Sequence, residues 1–600
     1  MHATARLCSR YAFLRSWHLQ RLPFASRYAL ILGQYEWHSA RNADTVSSHK
    51  RSFGIDTRQH NKVREPYEGQ TIYALSTGAG RAAIAIIRIS GPACDRIYTA
   101  LCPDQKLPRR RYAALRTLYH PADKKNVLDS DAVVLRFVGP NTATGEDMLE
   151  LHVHGGPATV IAVMSAISEV DPEAIHAAGP GEFTRRAFDN NKLDLGQIES
   201  LGDTLSAETE LQRRAALRGR SGELSRIYEE WRHSLIEELS YAAADSDHSE
   251  DHSLDMEGIW PRIISKVEKM QQDMILHQQG ALRGSLLRKG IQVSLIGRPN
   301  AGKSSLFNLI VGSNASIINE EAGTTRDIVE ATVDYNGYRC TFADTAGVRA
   351  ADNAGSSDIG SIEQEGIHRA MVKAADADVL IYVASVESDP EISSGSSSES
   401  SPGCSIPFME DILPLIIGNN GALKPLLVVV NKIDRLSKAQ YKGVGAAFIE
   451  NVRQSITTFL SERSNQFAVA PVFGATYETA TALVSATKAQ KNLMKESQMN
   501  SITEGLLALF KNMTEMPVES EHLIGVTERQ SRLLKSCSTH LGEFLTEAQR
   551  NTGPQPDNSI ATYHLEQAAK CLAEMTGRHE GAGDVEEILG RVFAKFCIGK

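Results

Sequence analysis

Ile291-Gln292-Val293-Ser294-Leu295-Ile296-Gly297-Arg298-Pro299-Asn300-Ala301-Gly302-Lys303-Ser304 decides the fold of the central part of this 600-residue chain. The first six residues are a β-rich apolar run that predicts a buried strand, and the rest fits G-x-x-x-x-G-K-[ST] opening a helix. The two glycines let backbone N–H groups turn inward around phosphates. Lys303 is placed to meet the β/γ oxygens, and Ser304 offers a hydroxyl to Mg²⁺. Nucleotide contacts are therefore expected from Asn300, Ala301, Gly302, Lys303, Ser304 and Ser305.

Further loops follow in the order such a site requires. Arg339 to Ala343 predicts a strand leading into Asp344-Thr345-Ala346-Gly347, where Asp344 can hold Mg²⁺ through water and the Gly347 N–H can sense a γ-phosphate. Leu426 to Val430 leads into Asn431-Lys432-Ile433-Asp434, whose carboxylate accepts from the N1 and N2 donors of guanine. Adenine lacks that donor pair and would leave the carboxylate unpaired, so the base is guanine and the nucleotide GTP. Ser485-Ala486-Thr487 matches the loop that completes a base pocket, with Phe473-Gly474-Ala475-Thr476 as a rival. In Gly323-Thr324-Thr325-Arg326-Asp327, Thr325 is the candidate to complete the Mg²⁺ shell.

Position 348 carries Val348, where Ras-like GTPases place a glutamine that orients the attacking water. Valine neither donates nor accepts. Either hydrolysis is very slow, or other groups take over, such as a cation bound near Asn300 or an acid beyond Val348.

Length predicts about three or four domains, and 42% hydrophobic residues suffice for real cores. A net charge of −9 argues against a chain that coats nucleic acid, and no apolar run reaches membrane-spanning length. Cys8, Cys94, Cys102, Cys340, Cys404, Cys537, Cys571 and Cys597 show no C-x-x-C spacing, which points to a reduced compartment without a zinc site. The start holds Arg6, Arg10, Arg15, Arg21 and Arg27 with no acid before Glu36, the composition of a mitochondrial transit peptide or of a basic tail.

From Thr71 onward, strands are predicted at 71–75, 83–89, 132–138 and 148–153, with helices at 91–102 and 157–170, an α+β pattern. His152 and His154 share a strand face and could ligate metal, although no further ligand completes a shell. Helical periodicity runs through 195–232 and 263–287 and returns at 502–550 and 561–597, beyond the GTP loops. A helical domain interrupted by an inserted domain is the simplest account. Ser393 to Ser401 predicts a serine-rich surface loop. The fold class expected is multidomain α/β and α+β. The expected segments are a leader at 1–66, an N-terminal α+β domain at 67–187, helical parts at 188–288 and 501–600, and an inserted Ras-like P-loop GTPase domain at 289–500.

Together these loops, Ile87-Arg88-Ile89-Ser90-Gly91, Gly145-Glu146-Asp147, His154-Gly155-Gly156-Pro157, Pro180 to Phe188, Lys192-Leu193-Asp194-Leu195 and the ending Cys597-Ile598-Gly599-Lys600 resemble the MnmE (TrmE) family of tRNA-modification GTPases over about 70–600. The leader is similar to that of its mitochondrial form, which implies the matrix. The resemblance implies a homodimer formed through the N-terminal domain. It implies a reduced folate there (5,10-methylene- or 5-formyl-tetrahydrofolate), and a partner like the FAD protein MnmG. The product would be a carboxymethylaminomethyl-type or taurinomethyl group at C5 of a tRNA wobble uridine. K⁺ is implied at Asn300, Asn319, Glu321 and Thr324, and the water-aligning acid at Glu363, with Glu365 as the alternative register because the 348–362 stretch is long. The implied folate residues are Arg88, Glu150, Lys192 and Lys600, with Cys597 brought to the one-carbon unit. The other class of reading is a ribosome-assembly switch of the Era or Der kind, which requires neither the Arg88 domain nor the Cys597 tail.

Overall fold

The structure is a computed structural model. It describes residues 69–247, 259–313, 315–319, 328–345, 371–388, 404–405, 410–417, 423–432, 480–483, 494–549 and 558–577, with isolated positions between 448 and 459 and from 590 to 599. The expected leader and the serine-rich 393–401 loop lie outside these residues.

Six strands form the first sheet: β1 (Thr71–Leu75), β2 (Ile84–Ser90), β3 (Ala114–His120), β4 (Asp123–Phe137), β5 (Met148–His154) and β6 (Ile175–Ala177), in the order β3-β4-β5-β2-β1-β6. Only β6 runs parallel to its neighbour. Alternation sorts the strands into two faces. Ile87, Ile89, Leu149, Leu151 and Val153 pack on one face against Ile97 and Tyr98 of α1 (Cys94–Leu101) and Val163 and Ile167 of α2 (Pro157–Val170). The opposite face buries Ile72 and Ala74 of β1 against Phe183 of α3 (Glu182–Asp189) and carries Arg88, Glu150 and His152 farther along.

Four helices follow: α4 (Leu195–Ser206), α5 (Glu210–Gly219), α6 (Glu223–Asp247) and α7 (Ile259–Lys289). Capping boxes start two of them, Asp194 with Gln197 and Thr209 with Gln212. A third box, Thr527 with Gln530, starts the helix Glu528–Ala548 on the far side of the GTP loops, and the helix Asn558–Thr576 comes after it. Residues from both sides of the GTP segment fill one apolar core, including Leu224, Tyr228, Val267 and Met274 from one side and Leu534, Leu541, Phe544 and Leu572 from the other. Glu199 on α4 accepts 2.7 Å hydrogen bonds from Thr527 Oγ1 and Arg529 Nε, closing the same junction.

The second sheet contains β7 (Ile291–Ile296), β8 (Ala315–Asn319), β9 (Ile328–Tyr335), β10 (Tyr338–Thr345), β11 (Val379–Ser385), β14 (Leu426–Asn431) and β15 (Ala480–Leu483); a two-residue ribbon, β12 (Glu387–Ser388) with β13 (Cys404–Ser405), lies outside it. Its order is β15-β14-β11-β7-β10-β9-β8, parallel except where β9 pairs with β10 and β8. The predominantly apolar β11 and β14 are buried along their whole length, each ending on a buried polar residue, Ser385 and Asn431, as suits central parallel strands.

One boundary differs from the sequence expectation. The helix Met494–Thr514 buries Ile502, Leu506, Leu509 and Phe510 in the core of the second sheet, and Tyr335 Oη donates a 2.9 Å hydrogen bond to Thr503. The sheet's core therefore draws on residues past 500, and it also takes in Ile524, Ala215 and Leu287 from the flanking helical segments. An apolar helix stripe reports that a helix packs, but not on which neighbour.

Candidate functional site

β7 is the point at which the chain reverses direction across the second sheet. It lies between β10 and β11, with Leu295 beside Asp344 and Ile296 beside Tyr382. Ligands of open α/β sheets bind outside the carboxyl ends of the strands at such a point. Gly297 to Gly302 leaves β7 there, and α8 (Lys303–Ser313) begins at the lysine. Gly302 has φ +97, and a Cβ on it would collide with Asn431 Nδ2, so a side chain is excluded on both grounds. Asn300 also adopts a left-handed φ, +60.

Lys303 is buried, and its Nζ donates to the carbonyls of Gly297 at 3.1 Å and Arg298 at 3.0 Å. Desolvation pulls this ammonium below its ordinary pKa, while Asp344 acts in the opposite direction. Phosphate oxygens meeting it would favour the charged form. Asp344 is 8% exposed, and its Oδ1 is buried with no hydrogen-bond partner among the described residues. Such an orphaned carboxylate oxygen is costly unless something positive or hydrogen-donating faces it. With the Ser304 hydroxyl on the first turn of α8, it forms a hard-oxygen set that fits hydrated Mg²⁺.

Asn431 has a role that sequence reasoning assigned only to the base pocket. Its Nδ2 donates to the Ala301 carbonyl at 2.8 Å and its Oδ1 accepts from the Lys432 N–H at 2.8 Å, while Lys432 Nζ donates to the Asn300 carbonyl at 2.6 Å. The loop after β14 thus braces the glycine loop after β7. The signal was an amide and an amine adjacent to each other after a buried strand, but their target lies 130 residues away along the chain.

The described residues bring together Asn300, Ala301, Gly302, Lys303, Ser304, Ser305, Asp344, Thr345, Asn431 and Lys432; Asn319 ends β8. Glu321, Thr324, Thr325, Ala346, Gly347, Val348, Glu363, Glu365, Asp434, Ser485, Ala486, Thr487, the rival 473–476 loop, Cys597 and Lys600 lie outside the described residues.

A second polar site crosses the first sheet. Arg88 and Glu150 are direct cross-strand partners, with Arg88 Nε donating to Glu150 Oε1 at 3.0 Å and Nη2 at 2.9 Å from the same oxygen. His152 Nε2 lies 3.5 Å from Glu150 Oε2. His154 Nδ1 is 2.9 Å from Asp129 Oδ1, and that hydrogen bond raises the imidazole pKa. Burial works to raise the Asp129 carboxyl, yet the N–H groups of His154 and Asp131 hold it below its ordinary value. Each histidine already faces a carboxylate, so the two do not converge on a shared ligand position.

Lys192 is exposed in the turn after α3. That turn is tied to the 144–147 loop, because Asn190 Nδ2 donates to the Thr144 carbonyl at 2.7 Å. Arg186, 1% exposed, donates to Glu146 Oε2 at 3.0 Å, and Ser90 Oγ reaches the same oxygen at 2.7 Å. The C-terminal residues arrive from the other end of the chain. Phe593 and Phe596 are buried against Leu195 and Ile198, and the Gly599 carbonyl accepts 3.0 Å from Ser76 Oγ at the end of β1. Ala74, two residues before Ser76, is the cross-strand partner of Arg88.

Comparison with known proteins agrees with this layout. Residues 71–192 match the family described as GTP-binding protein TrmE N-terminus, and residues 195–597 match the MnmE helical domain. The chain is 39% identical over 550 residues to the human mitochondrial 5-taurinomethyluridine-tRNA synthase subunit GTPB3, covering 91% of this chain and 96% of the relative. It is 33% identical to the mitochondrial tRNA modification GTPase MSS1 of Saccharomyces cerevisiae, covering 92% and 98%. Identity to the tRNA modification GTPase MnmE of Parvibaculum lavamentivorans is 34%, covering 88% and 100%.

Proposed function

This chain belongs to the MnmE family of tRNA-modification GTPases, and on that premise we propose that GTP hydrolysis at the second sheet drives one-carbon chemistry held by the first. It is a GTP hydrolase of mitochondrial tRNA modification, acting on the wobble uridine. The observation that carries the coupling is the contact of Gly599 with Ser76, which seats the end of the chain on the domain of Arg88 and Glu150. A ribosome-assembly switch of the Era or Der kind gives no account of that contact.

In the GTP site, Lys303 binds β/γ oxygens, while Ser304, Thr325 and, through water, Asp344 would hold Mg²⁺, which neutralises phosphate charge when bound. Asp434 recognises guanine. The position of β15 beside β14 supports Ser485-Ala486-Thr487 over the 473–476 rival, because β15 ends at Leu483 and leads directly into it. With Val348 inert, Glu363 aligns the attacking water, and Asn300, Asn319, Glu321 and Thr324 would hold K⁺. The left-handed Asn300 in the glycine loop and Asn319 at the end of β8 support that reading.

In the N-terminal site, Arg88, Lys192 and Lys600 are suited to the anionic tail of a reduced folate, and Glu150 accepts from a pterin edge. When bound, such a folate supplies the one-carbon unit. Gly599 at Ser76 supports bringing Lys600 and Cys597 to this site. A homodimer, an MnmG-like FAD protein and a matrix location complete the proposal. No helix among the described residues is long and apolar enough to cross a membrane.

The deciding experiment is mass spectrometry of mitochondrial tRNA nucleosides from a null strain. The C5-modified wobble uridine is expected to vanish and to return with the wild-type chain, but not with Lys303→Ala. Normal modification in the null strain would refute the proposal.

A further inference from the structure

Away from both sites, the 528–548 and 558–576 helices lie side by side, with Cys537 Sγ donating to the Ala568 carbonyl at 3.4 Å. One turn along this seam, His540 and Glu543 share a face of the first helix, since residues three apart are neighbours. His564 faces them from the second, its ring centroid 5.9 Å from that of His540. Glu543 Oε2 lies 3.3 Å from His540 Nδ1 and 3.1 Å from His564 Nδ1. The three potential ligand atoms all fall within 4.8 Å of one another.

Hydrogen bonding does not account for this arrangement. Both Nδ1 atoms are buried and make no hydrogen bond, although each lies close to the same carboxylate oxygen. Leaving two buried ring nitrogens without a hydrogen-bond partner carries an uncompensated desolvation cost. A metal ion satisfies both at once. Tetrahedral zinc with ligand bonds of roughly 2.0–2.1 Å separates its ligand atoms by roughly 3.3–3.4 Å, close to the two N···O distances found here. Two imidazoles and one carboxylate suit zinc, whereas Mg²⁺ and Ca²⁺ prefer oxygen ligands throughout.

We propose that His540, Glu543 and His564 bind one zinc ion that clips the 528–548 helix to the 558–576 helix. Glu543 is 49% exposed, so water completes the tetrahedron from the solvent side. None of the three residues contributes to the nucleotide or Arg88 sites.

The test uses the full chain, stripped with chelator in the absence of nucleotide, then dialysed against zinc and analysed for bound metal. The expected result is about one zinc per chain with a raised Tm, and a weakening of at least ~100-fold in the His540→Asn/His564→Asn double variant, since losing even an outer-shell partner costs 10–100-fold. The exposed control His233→Asn should bind as wild type does. Should the double variant fold poorly, Glu543→Gln is expected to weaken zinc by at least ~10-fold and to change the visible spectrum of the cobalt-substituted protein. No bound zinc, a preference for copper alone, or unchanged affinity in Glu543→Gln and in a folded double variant would overturn the assignment.

Discussion

Replacing Gly599 with alanine tests whether docking of the C-terminal end is separable from GTP hydrolysis. Gly599 has φ +93, and a Cβ there would collide with the Leu75 carbonyl in β1. Backbone cannot yield as a flexible side chain can, so the tail must leave its seat. The conformational penalty for a side chain at positive φ is roughly 1–2 kcal/mol. Displacement also forfeits the 3.0 Å hydrogen bond from Ser76 Oγ, worth about 0.5–1.5 kcal/mol. The penalty at Gly599 alone moves the docked-to-undocked ratio by roughly 5- to 30-fold, before the collision with the Leu75 carbonyl is added. Ser76→Ala removes the hydrogen bond alone and should have a correspondingly milder effect. The assay pairs steady-state GTP turnover with nucleoside mass spectrometry of mitochondrial tRNA from complemented cells. Gly599→Ala is expected to keep kcat for GTP within about two-fold, because among the described residues no hydrogen bond or ion pair joins the glycine loop to the tail, while modified uridine falls sharply. Full modification in this variant refutes the role of the docked tail. An equal loss of both activities refutes the separation of the two sites.

Three other outcomes follow from the same residues. With Val348 unable to orient water and Asn300 poised to hold a cation, K⁺ should accelerate GTP turnover over Na⁺ at equal ionic strength; equal rates in the two salts would remove the cation assignment. Asp434→Asn should lose GTP and gain xanthosine triphosphate, which direct binding measurements on both nucleotides would reveal. His277, packed against Tyr228, Trp231 and His522, is driven by burial from 6.5 to about 4. Between those values the unfolded chain binds the proton and the folded one does not, so stability falls as pH drops through the window, by up to about 3 kcal/mol. The urea midpoint should follow that fall in the wild type and flatten in His277→Phe.

Much of the local architecture was legible because its signals are short-range. The β7 run and the α2 segment at 157–170 appear where period and composition placed them, and the strand expected over 339–343 is present but extends to Tyr338–Thr345. Helical texture also appears on either side of the GTP loops as far as Thr576, and the rest of the expected 561–597 stretch lies almost entirely outside the described residues. Other features were hidden for physical reasons. Arg186 is a charged side chain that composition assigns to solvent, yet its Nη atoms donate to Glu146, Glu182 and the Gln70 carbonyl, and that pairing allows it to be buried. The 494–514 helix carries an apolar stripe that would fit either neighbouring core, and only the fit of Phe510 against Tyr335 and Tyr338 settles which one. The Asn431 brace depends on two loops meeting at the ends of strands that are not adjacent in the chain.

The sequence by itself determined the nucleotide chemistry. A phosphate cradle is built from consecutive backbone N–H groups, so glycine, lysine and serine at fixed spacing specify it almost completely. The tertiary structure alone decided the seat of the tail on β1, the orphaned oxygen of Asp344, the brace from Asn431 to the glycine loop and the meeting of His540 with His564. Each of these closes a gap between elements, and the Ser76–Gly599 bond spans 523 positions. No local period encodes such a closure, because it follows from the summed packing of every element in between.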